Sequence, residues 1–363
     1  MLDMAHSKTF IAIPPGATIK EQLDYRGMQQ KDFALRMALS EKHIINLMKG
    51  RVELTPQVAL RLEMVLGIPA TFWENLEAIY RSKLLKVEEE NQLETEFDIA
   101  KKLPCNEMNK FGWIFLQKNN YDNVVTLRKF FEVSTLKLIS NPQINKIACR
   151  RFSDSEKSNY ALLAWAQKAR LLARDIPTQS INLTKLKRSI STLRKLNTMS
   201  PEKFCSELVT FLAKVGVALV FLPHLKGSTL HGASFYDGKK IVIGMTVRGK
   251  DADKFWFSFF HEIAHVIYGH IGKLEGTTEE DEKQANDFAA ETLIPSSVLQ
   301  KFTANNSYTA QSLTQFAQKI GVDVGILVGR LQHEKIIDFN QFNHLKKQYI
   351  LTQSDETFNG MEV

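Results

Sequence analysis

The sequence has little cysteine and lacks long apolar runs. Its 363 residues include three cysteines, Cys105, Cys149 and Cys205, which lie far apart and form no C-x-x-C pair. This spacing argues against a disulfide-stabilised scaffold or a cysteine zinc site and favours free thiols in a reducing cytoplasm. No apolar stretch approaches the roughly 18 residues that span a bilayer, and residues 1–8 lack the pattern of a signal peptide. We therefore expect a cytoplasmic protein without a membrane partner.

The composition is that of a globular protein with a modest excess of positive charge. Hydrophobic residues make up 44% of the chain and charged residues 24%, and the formal net charge is +7. The length is sufficient for two domains and a connecting segment. The charge permits nucleic-acid binding but does not require it.

Residues 256–270 carry an H-E-x-x-H motif in a stretch of aromatic, aliphatic and small residues that predicts one helix. Positions i and i+4 lie on one helix face, so His261 and His265 should direct their imidazoles to one point, as two ligands of one Zn²⁺ must. Glu262 beside them is suited to act as a general base and not as a ligand. The alternative interpretation is a surface helix with chance histidines.

A catalytic Zn²⁺ also needs a third protein ligand, which must come from another segment. The next helical stretch, residues 282–295, offers Glu282 at its start. Three preceding acidic residues compete with it about equally on this evidence: Glu279, Glu280 and Asp281. His231 and His270 lie nearby in sequence and could orient the site, but a structural or surface role is favoured for both.

Two motifs together resemble the ImmA/IrrE family of zinc metallopeptidases: H-E-I-A-H-V-I-Y-G-H and the later E-K-Q-A-N-D-F-A-A-E-T-L-I-P. The similarity extends from about residue 203 to residue 337. It implies a Zn²⁺ cofactor with His261, His265 and Glu282 as ligands and Glu262 as the catalytic base. Asp323 departs from the family pattern, which often has Ser there, at a position suited to capping a helix.

The N-terminal region predicts short helices in quick succession. Gly27 separates the first two, Ser40 is placed to cap the third, and Thr55 caps a fourth that begins with proline. Two short helices, a brief turn and a capped third helix are typical of a helix-turn-helix. The alternative is a protein-binding helical domain with an ordinary mixed surface.

The third helix is the predicted recognition helix. Ile44 and Leu47 are at core spacing within it. The other side should face the DNA major groove and begins at Ser40; its outward residues are Glu41, Lys42, His43, Asn46 and Lys49. Gln30, at the start of the preceding helix, is placed to contact a phosphate.

Residues 14–76 resemble Cro/CI-type (XRE) repressor domains, and more narrowly the HigA group of antitoxins. The similarity lies in P-P-G, Y-R-G-M-x-Q-K-D-F-A, L-S-E-K-H-I, T-P-x-x-A-L-R-L-E and F-W-x-N-L. It implies double-stranded operator DNA as a ligand, a homodimer, and a toxin protein as a partner.

The chain is therefore expected to be multidomain. We predict an all-α helix-turn-helix domain at residues 14–85, a helical connector at 86–199, an α+β zincin-like peptidase domain at 200–340 and a C-terminal tail at 341–363. The apolar strand at residues 240–244 could pair with a peptide substrate or be a plain interior strand, and the two interpretations are nearly even.

The favoured function is a transcriptional repressor, an antitoxin of a toxin–antitoxin pair, with a fused zinc endopeptidase that cuts itself or a protein partner. Candidate cut positions are residues 88–97 and 153–159. Two alternatives remain. One is a non-catalytic, metal-sensing regulator, and the other is a regulatory protease that docks its protein substrate through the N-terminal domain.

Overall fold

The computed structural model describes residues 4–141, 147–148, 156–226, 228, 230–246, 250–273, 276–304, 308–354 and 357–362. The chain forms two compact units that divide between Phe97 and Asp98. This division falls inside the segment expected to be a connector, and the boundaries proposed from the sequence stay a prediction. In the described part of the chain, no helix has both the length and the apolar character needed to cross a membrane.

The first unit is a helical domain with a small N-terminal hairpin. Its strands are β1 (Ala5–His6) and β2 (Ile11–Ala12). Its helices are α1 (Gly16–Arg26), α2 (Gln30–Arg36), α3 (Glu41–Met48), α4 (Pro56–Leu66) and α5 (Ala70–Glu94).

Local sequence explains where these helices begin and end. The Ser40 hydroxyl accepts a hydrogen bond from His43 N at the start of α3, and Thr55 caps α4 ahead of a proline. Gly27 and Gly67 end α1 and α4 in the left-handed conformation that glycine favours. The helices enclose an apolar core, which includes Ile19, Phe33, Ile44, Leu62 and Trp73.

The second unit contains the remaining elements. Its helices are α6 (Phe97–Lys102, which begins at the division), α7 (Cys105–Lys110), α8 (Asn120–Phe131), α9 (Glu156–Arg174), α10 (Leu183–Arg188), α11 (Ile190–Lys195), α12 (Pro201–Ala213), α13 (Ala252–Tyr268), α14 (Glu279–Leu293), α15 (Ser296–Thr303), α16 (Ala310–Ile320) and α17 (Val324–His333). Its strands are β3 (Ile147–Ala148), β4 (Val217–Phe221), β5 (Gly232–Asp237), β6 (Lys240–Met245), β7 (Ile350–Ser354) and β8 (Thr357–Glu362).

Four of these strands form a mixed sheet in the order β3-β5-β6-β4. Strand β6 is antiparallel to β5 on one side and parallel to β4 on the other. Residues 241–244 are therefore paired with both neighbours. The interpretation of this strand as a pairing partner for a substrate was wrong, because an interior strand has no edge to offer.

Helices cover both faces of this sheet. Alternate residues of β6, among them Ile241 and Ile243, join the core that contains α13. The opposite face meets α9, because a Cβ at Gly244 would fall only 2.5 Å from a ring carbon of Trp165. A helix from the segment expected to be a connector therefore packs directly on the sheet of the second unit.

The C-terminal segment also contributes to the second unit. Tyr349 is 1% exposed, and its hydroxyl accepts a hydrogen bond from Trp256 Nε1 at 3.2 Å. Its backbone N donates to Lys250 O at 2.6 Å. Residues 341–363, expected to be a tail, thus supply a core side chain beside the start of α13.

Candidate functional site

Helix α13 presents two histidines on one side because its other side is buried. The buried side consists of aromatic and aliphatic residues: Phe255, Trp256, Phe259, Phe260 and Ile263. Their three- and four-residue spacing sets the rotation of the helix. His261 and His265 lie one turn apart; the first is half-buried and the second is 4% exposed.

Helix α14 brings a carboxylate to these histidines. It begins with a capping box, in which Asp281 N donates to Thr278 Oγ1 at 3.2 Å and Thr278 N donates to Asp281 Oδ2 at 3.0 Å. The cap engages Asp281, and Glu279 and Glu280 are exposed. Glu282 is the acidic residue of this first turn that contacts both His261 and His265.

The three predicted ligand side chains converge on one point. His261 Nε2 and His265 Nε2 are 2.9 Å apart, and the Glu282 carboxylate lies 3.4 Å from the first and 3.6 Å from the second. One ligand atom from each residue lies within 4.8 Å of the others. Two imidazole nitrogens and a carboxylate form a donor set that Zn²⁺ prefers. The residues present therefore fit a divalent metal ion.

Further residues orient these groups from outside. His261 Nδ1 lies 3.0 Å from Asn286 Oδ1, and Thr277 Oγ1 donates to Glu282 Oε1 at 2.5 Å. An N–H donated from Nδ1 of His261 to the amide oxygen leaves the lone pair on Nε2, the atom that faces the cluster. The sequence patterns assigned no role to these two partners, because neither belongs to the H-E-x-x-H signature.

The environment shifts the pKa values of this cluster. Burial raises the pKa of Glu262 to about 7. Burial also lowers the pKa of His265, and the charge of His261 adds to this effect. Burial acts to raise the pKa of Glu282, but hydrogen bonds from His261 and Thr277 outweigh it and leave that pKa lowered. Burial opposes protonation of His261, yet its contacts with Glu282 raise its pKa. At neutral pH His265 and Glu282 are thus in the forms that bind a cation.

The cluster opens into a cleft of about 1890 Å³. Residues of α13, α14 and α17 line it, together with the start of β5. Glu262 also lines the cleft and is 6% exposed. Gly232 lies against it, since a Cβ at Gly232 would fall 2.8 Å from Glu262 Cγ. A larger residue at position 232 would displace the predicted base.

The residues predicted to contact DNA surround α3 in the first unit. Gln30 is the first residue of α2 and is exposed. On α3 and its caps, the exposed residues are Ser40, Glu41 and Lys42, whereas the half-buried ones are His43, Asn46 and Lys49. Ile45 is 41% exposed, although no outward position was expected for it. These side chains thus lie on α2, on α3 and at the caps of α3, and their contact with DNA stays a prediction.

Comparison with known proteins gives two findings. A stretch of 63 residues is 33% identical to the uncharacterized HTH-type transcriptional regulator YddM of Escherichia coli K12 and covers 17% of this chain and 67% of that protein. The chain belongs to the HTH-type transcriptional regulators. Residues 214–332 of this regulator match the peptidase M78 family model, described as an IrrE N-terminal-like domain. The match contains the convergent cluster of His261, His265 and Glu282, so the regulator is fused to a metallopeptidase-like domain.

Proposed function

We propose that this regulator represses transcription by binding operator DNA and that its second unit is a zinc-dependent endopeptidase. The observation that carries the enzymatic part is the convergence of His261, His265 and Glu282 within 4.8 Å. The buried Glu262 lies in the same cleft and supplies a candidate base. A cluster that only stabilised the fold would not need this additional ionisable group in a low-dielectric position.

Each residue of the cluster has a separate role in this proposal. His261, His265 and Glu282 hold Zn²⁺, which when bound would supply the positive charge that polarises a peptide carbonyl and activates water. Glu262 removes a proton from the attacking water and delivers it to the leaving amine. Burial of Glu262 raises its pKa above that of an exposed glutamate, which makes it a stronger proton acceptor. The cleft along α13 would hold the substrate chain.

The substitution Glu262→Gln tests the enzymatic role, because it removes the base and keeps the ligands. Purified wild type and variant should each contain about one Zn²⁺ per chain by metal analysis. Hydrolysis of an unfolded protein such as β-casein should fall by about 10²–10⁴-fold in the variant. Glu280→Gln, at an exposed position of α14, is the matched control and should leave hydrolysis unchanged. Equal hydrolysis by Glu262→Gln and wild type would reject the proposed base.

The two candidate cut segments, residues 88–97 and 153–159, differ in how much of each the structure describes. In residues 88–97, the part up to Glu94 belongs to α5, and Glu96 is fully buried. A peptidase cleft binds an extended chain, so this segment would first have to unwind. Positions 153–155 lie outside the described residues, and Ser158 and Asn159 belong to α9. These placements favour a bound partner as the substrate over the α5 segment.

For the DNA-binding part, we propose a homodimer that reads two half-sites about 34 Å apart. The support is the capped helix α3, which begins with exposed Glu41 and Lys42. The HigA resemblance extends this proposal to an antitoxin that binds a toxin protein. Gel shifts with the protein's own promoter, and purification together with the product of the adjacent reading frame, test the two parts separately.

A metal-sensing regulator is the second candidate. The observation in its favour is that one chain contains both a stretch similar to an HTH-type transcriptional regulator and the possible metal cluster. Glu262→Gln separates the candidates, because it should abolish release of repression only if cutting is required. Release of repression by this variant at the wild-type level would favour the sensor.

A further inference from the structure

Helix α13 ends in a reversal that folds His270 back onto His265. Gly269 has a φ of 74°, in the left-handed region that glycine favours. His270 N then donates a hydrogen bond to His265 O at 2.9 Å. The two side chains meet as well, and their Nδ1 atoms lie 3.0 Å apart. His270 is 4% exposed, so this contact is sheltered from water.

The second ring nitrogen of His270 faces two oxygen atoms. Its Nε2 lies 2.9 Å from Gln284 Oε1 and 3.3 Å from Asp281 Oδ1. A carboxylate oxygen only accepts, so Nε2 of His270 is the donor in this contact. When His265 presents its Nε2 lone pair to a cation, its own proton sits on Nδ1. Nδ1 of His270 is the atom in position to accept that proton's hydrogen bond.

We propose that His270 is a positioning residue of the metal centre, which accepts the Nδ1–H of His265 and thereby directs the Nε2 lone pair of His265 towards the metal. Asp281 holds His270 in the orientation that this requires. The inference rests on the proposed zinc site and adds residues that act through a ligand without touching the metal. An outer hydrogen-bond partner of a ligating histidine fixes its ring and raises its basicity.

Asp281 has further partners besides His270. Its Oδ2 accepts from Lys273 Nζ at 2.5 Å and from Thr278 N at 3.0 Å, so both of its oxygens have partners. It immediately precedes the predicted ligand Glu282. The first turn of α14 therefore orients the ring of His265 through Asp281 and His270, and it supplies the carboxylate ligand itself.

Four variants of the full-length protein test this role by Zn²⁺ affinity, measured by competition with a chromophoric chelator. His270→Leu keeps the bulk and removes the acceptor, so Zn²⁺ should bind about 10–100-fold more weakly. His270→Asn can place an amide oxygen opposite Nδ1 of His265 and should restore most of the loss. Asp281→Asn removes the charge that holds His270 and should cause a smaller loss. His344→Leu, at an exposed histidine, is the matched control and should bind like wild type.

A second readout separates positioning from a merely structural role. Co²⁺ bound in place of Zn²⁺ reports ligand geometry through its visible absorption, which should change in His270→Leu and return towards wild type in His270→Asn. Circular dichroism of the metal-free proteins should be the same for all variants that are compared.

Several outcomes would overturn the proposal. Zn²⁺ affinity of His270→Leu within a factor of about two of wild type would do so, as would equal losses in the Leu and Asn variants. If His270→Leu does not fold, unchanged affinity and Co²⁺ absorption in Asp281→Asn would overturn it. His265→Ala distinguishes this failure from failure of the proposed function: if that variant retains full Zn²⁺ binding, the zinc site itself is wrong. If it loses Zn²⁺ and the His270 variants do not, only the positioning role is wrong.

Discussion

The two predicted sites differ in how strongly their surroundings constrain each side chain. In the metal cluster, both ring nitrogens of His265 have partners, and Glu282 contacts two histidines and a threonine. On α3, Glu41 and Lys42 extend from the surface. A buried side chain with several partners has one conformation available, whereas an exposed one is ordered by its ligand. Single substitutions in the metal cluster should therefore cause large losses of Zn²⁺ binding or hydrolysis. Single substitutions on α3 should cause smaller losses of DNA affinity.

Removal of a ligand should give the largest effect. His265→Ala deletes one of the three donors. Loss of an outer partner is expected to weaken Zn²⁺ binding about 10–100-fold, and loss of a ligand should weaken it further. Metal analysis after dialysis should find close to one equivalent less Zn²⁺ than in wild type. The thermal midpoint should lose its dependence on added Zn²⁺, because binding to the folded state is the source of that stabilisation. Retention of Zn²⁺ by this variant would show that His265 is not a metal ligand.

Crowding the predicted base should give the next largest effect. A Cβ at Gly232 would lie 2.8 Å from Glu262 Cγ and 3.0 Å from Met245 Sδ, so Gly232→Ala should cost about 1–3 kcal/mol of unfolding free energy. Hydrolysis should fall as well, because Glu262 must move. Glu262→Ala removes the colliding atoms, so the cost of Gly232→Ala should shrink in the double variant. Additive losses in a denaturation cycle would show that the two residues do not crowd each other.

How far the sequence predicts each feature depends on the range of the contacts involved. The pairing of His261 with His265 follows from helix spacing alone. Residue patterns alone left Glu282 level with its acidic neighbours, and only the family resemblance selected it. The structure shows it contacting both histidines, whereas Asp281 caps the helix. The role of His270 depends on the reversal at Gly269 and on the approach of α14, and neither has a periodic signature.

The sheet shows the same limit. An apolar run of strand length has the same sequence pattern in an edge strand and in an interior strand of a sheet. Residues 240–244 therefore gave no indication that β6 lies between β4 and β5. The packing of Trp165 against Gly244 joins segments far apart in the chain. Such contacts explain why residues of the expected connector and tail became part of the second unit, whereas the caps at Ser40 and Thr55 could be predicted locally.

Substitutions on α3 should weaken DNA binding moderately. Lys42→Ala and Asn46→Ala should each weaken binding to the protein's own promoter by about 1–3 kcal/mol if they contact bases. A pure phosphate contact would instead weaken all sequences alike and reduce the salt dependence. Lys83→Ala, at an exposed position of α5, serves as the control in gel shifts at several salt concentrations. Unchanged sequence preference in the double variant Lys42→Ala with Asn46→Ala would show that α3 is not the recognition helix.

The smallest effect should come from a buried glutamate of the first unit, which resembles the metal cluster in having several partners. Glu90 on α5 accepts hydrogen bonds from the hydroxyls of Ser7 and Thr9 and from Thr9 N at 3.0 Å, and these tie the β1–β2 hairpin to the helix. The hydrogen bonds from Ser7 and Thr9 lower the pKa of Glu90 below the usual range of a glutamate. A carboxyl whose pKa is lower in the folded state stabilises that state above its unfolded pKa, and the contribution is lost as pH falls through the folded value.

Glu90→Gln should therefore loosen the hairpin at neutral pH and have less effect in acid. Hydrogen exchange of the amides in residues 5–12, measured by mass spectrometry, should be faster in Glu90→Gln than in wild type at the same neutral pH. The difference should shrink as the pH falls below the unfolded pKa of about 4.3, since protonated Glu90 then resembles the amide. Glu88→Gln, at an exposed position of α5, should behave like wild type throughout. A difference that stays constant from neutral to acid pH would assign the hairpin's attachment to apolar packing against Tyr80 and Val87 instead.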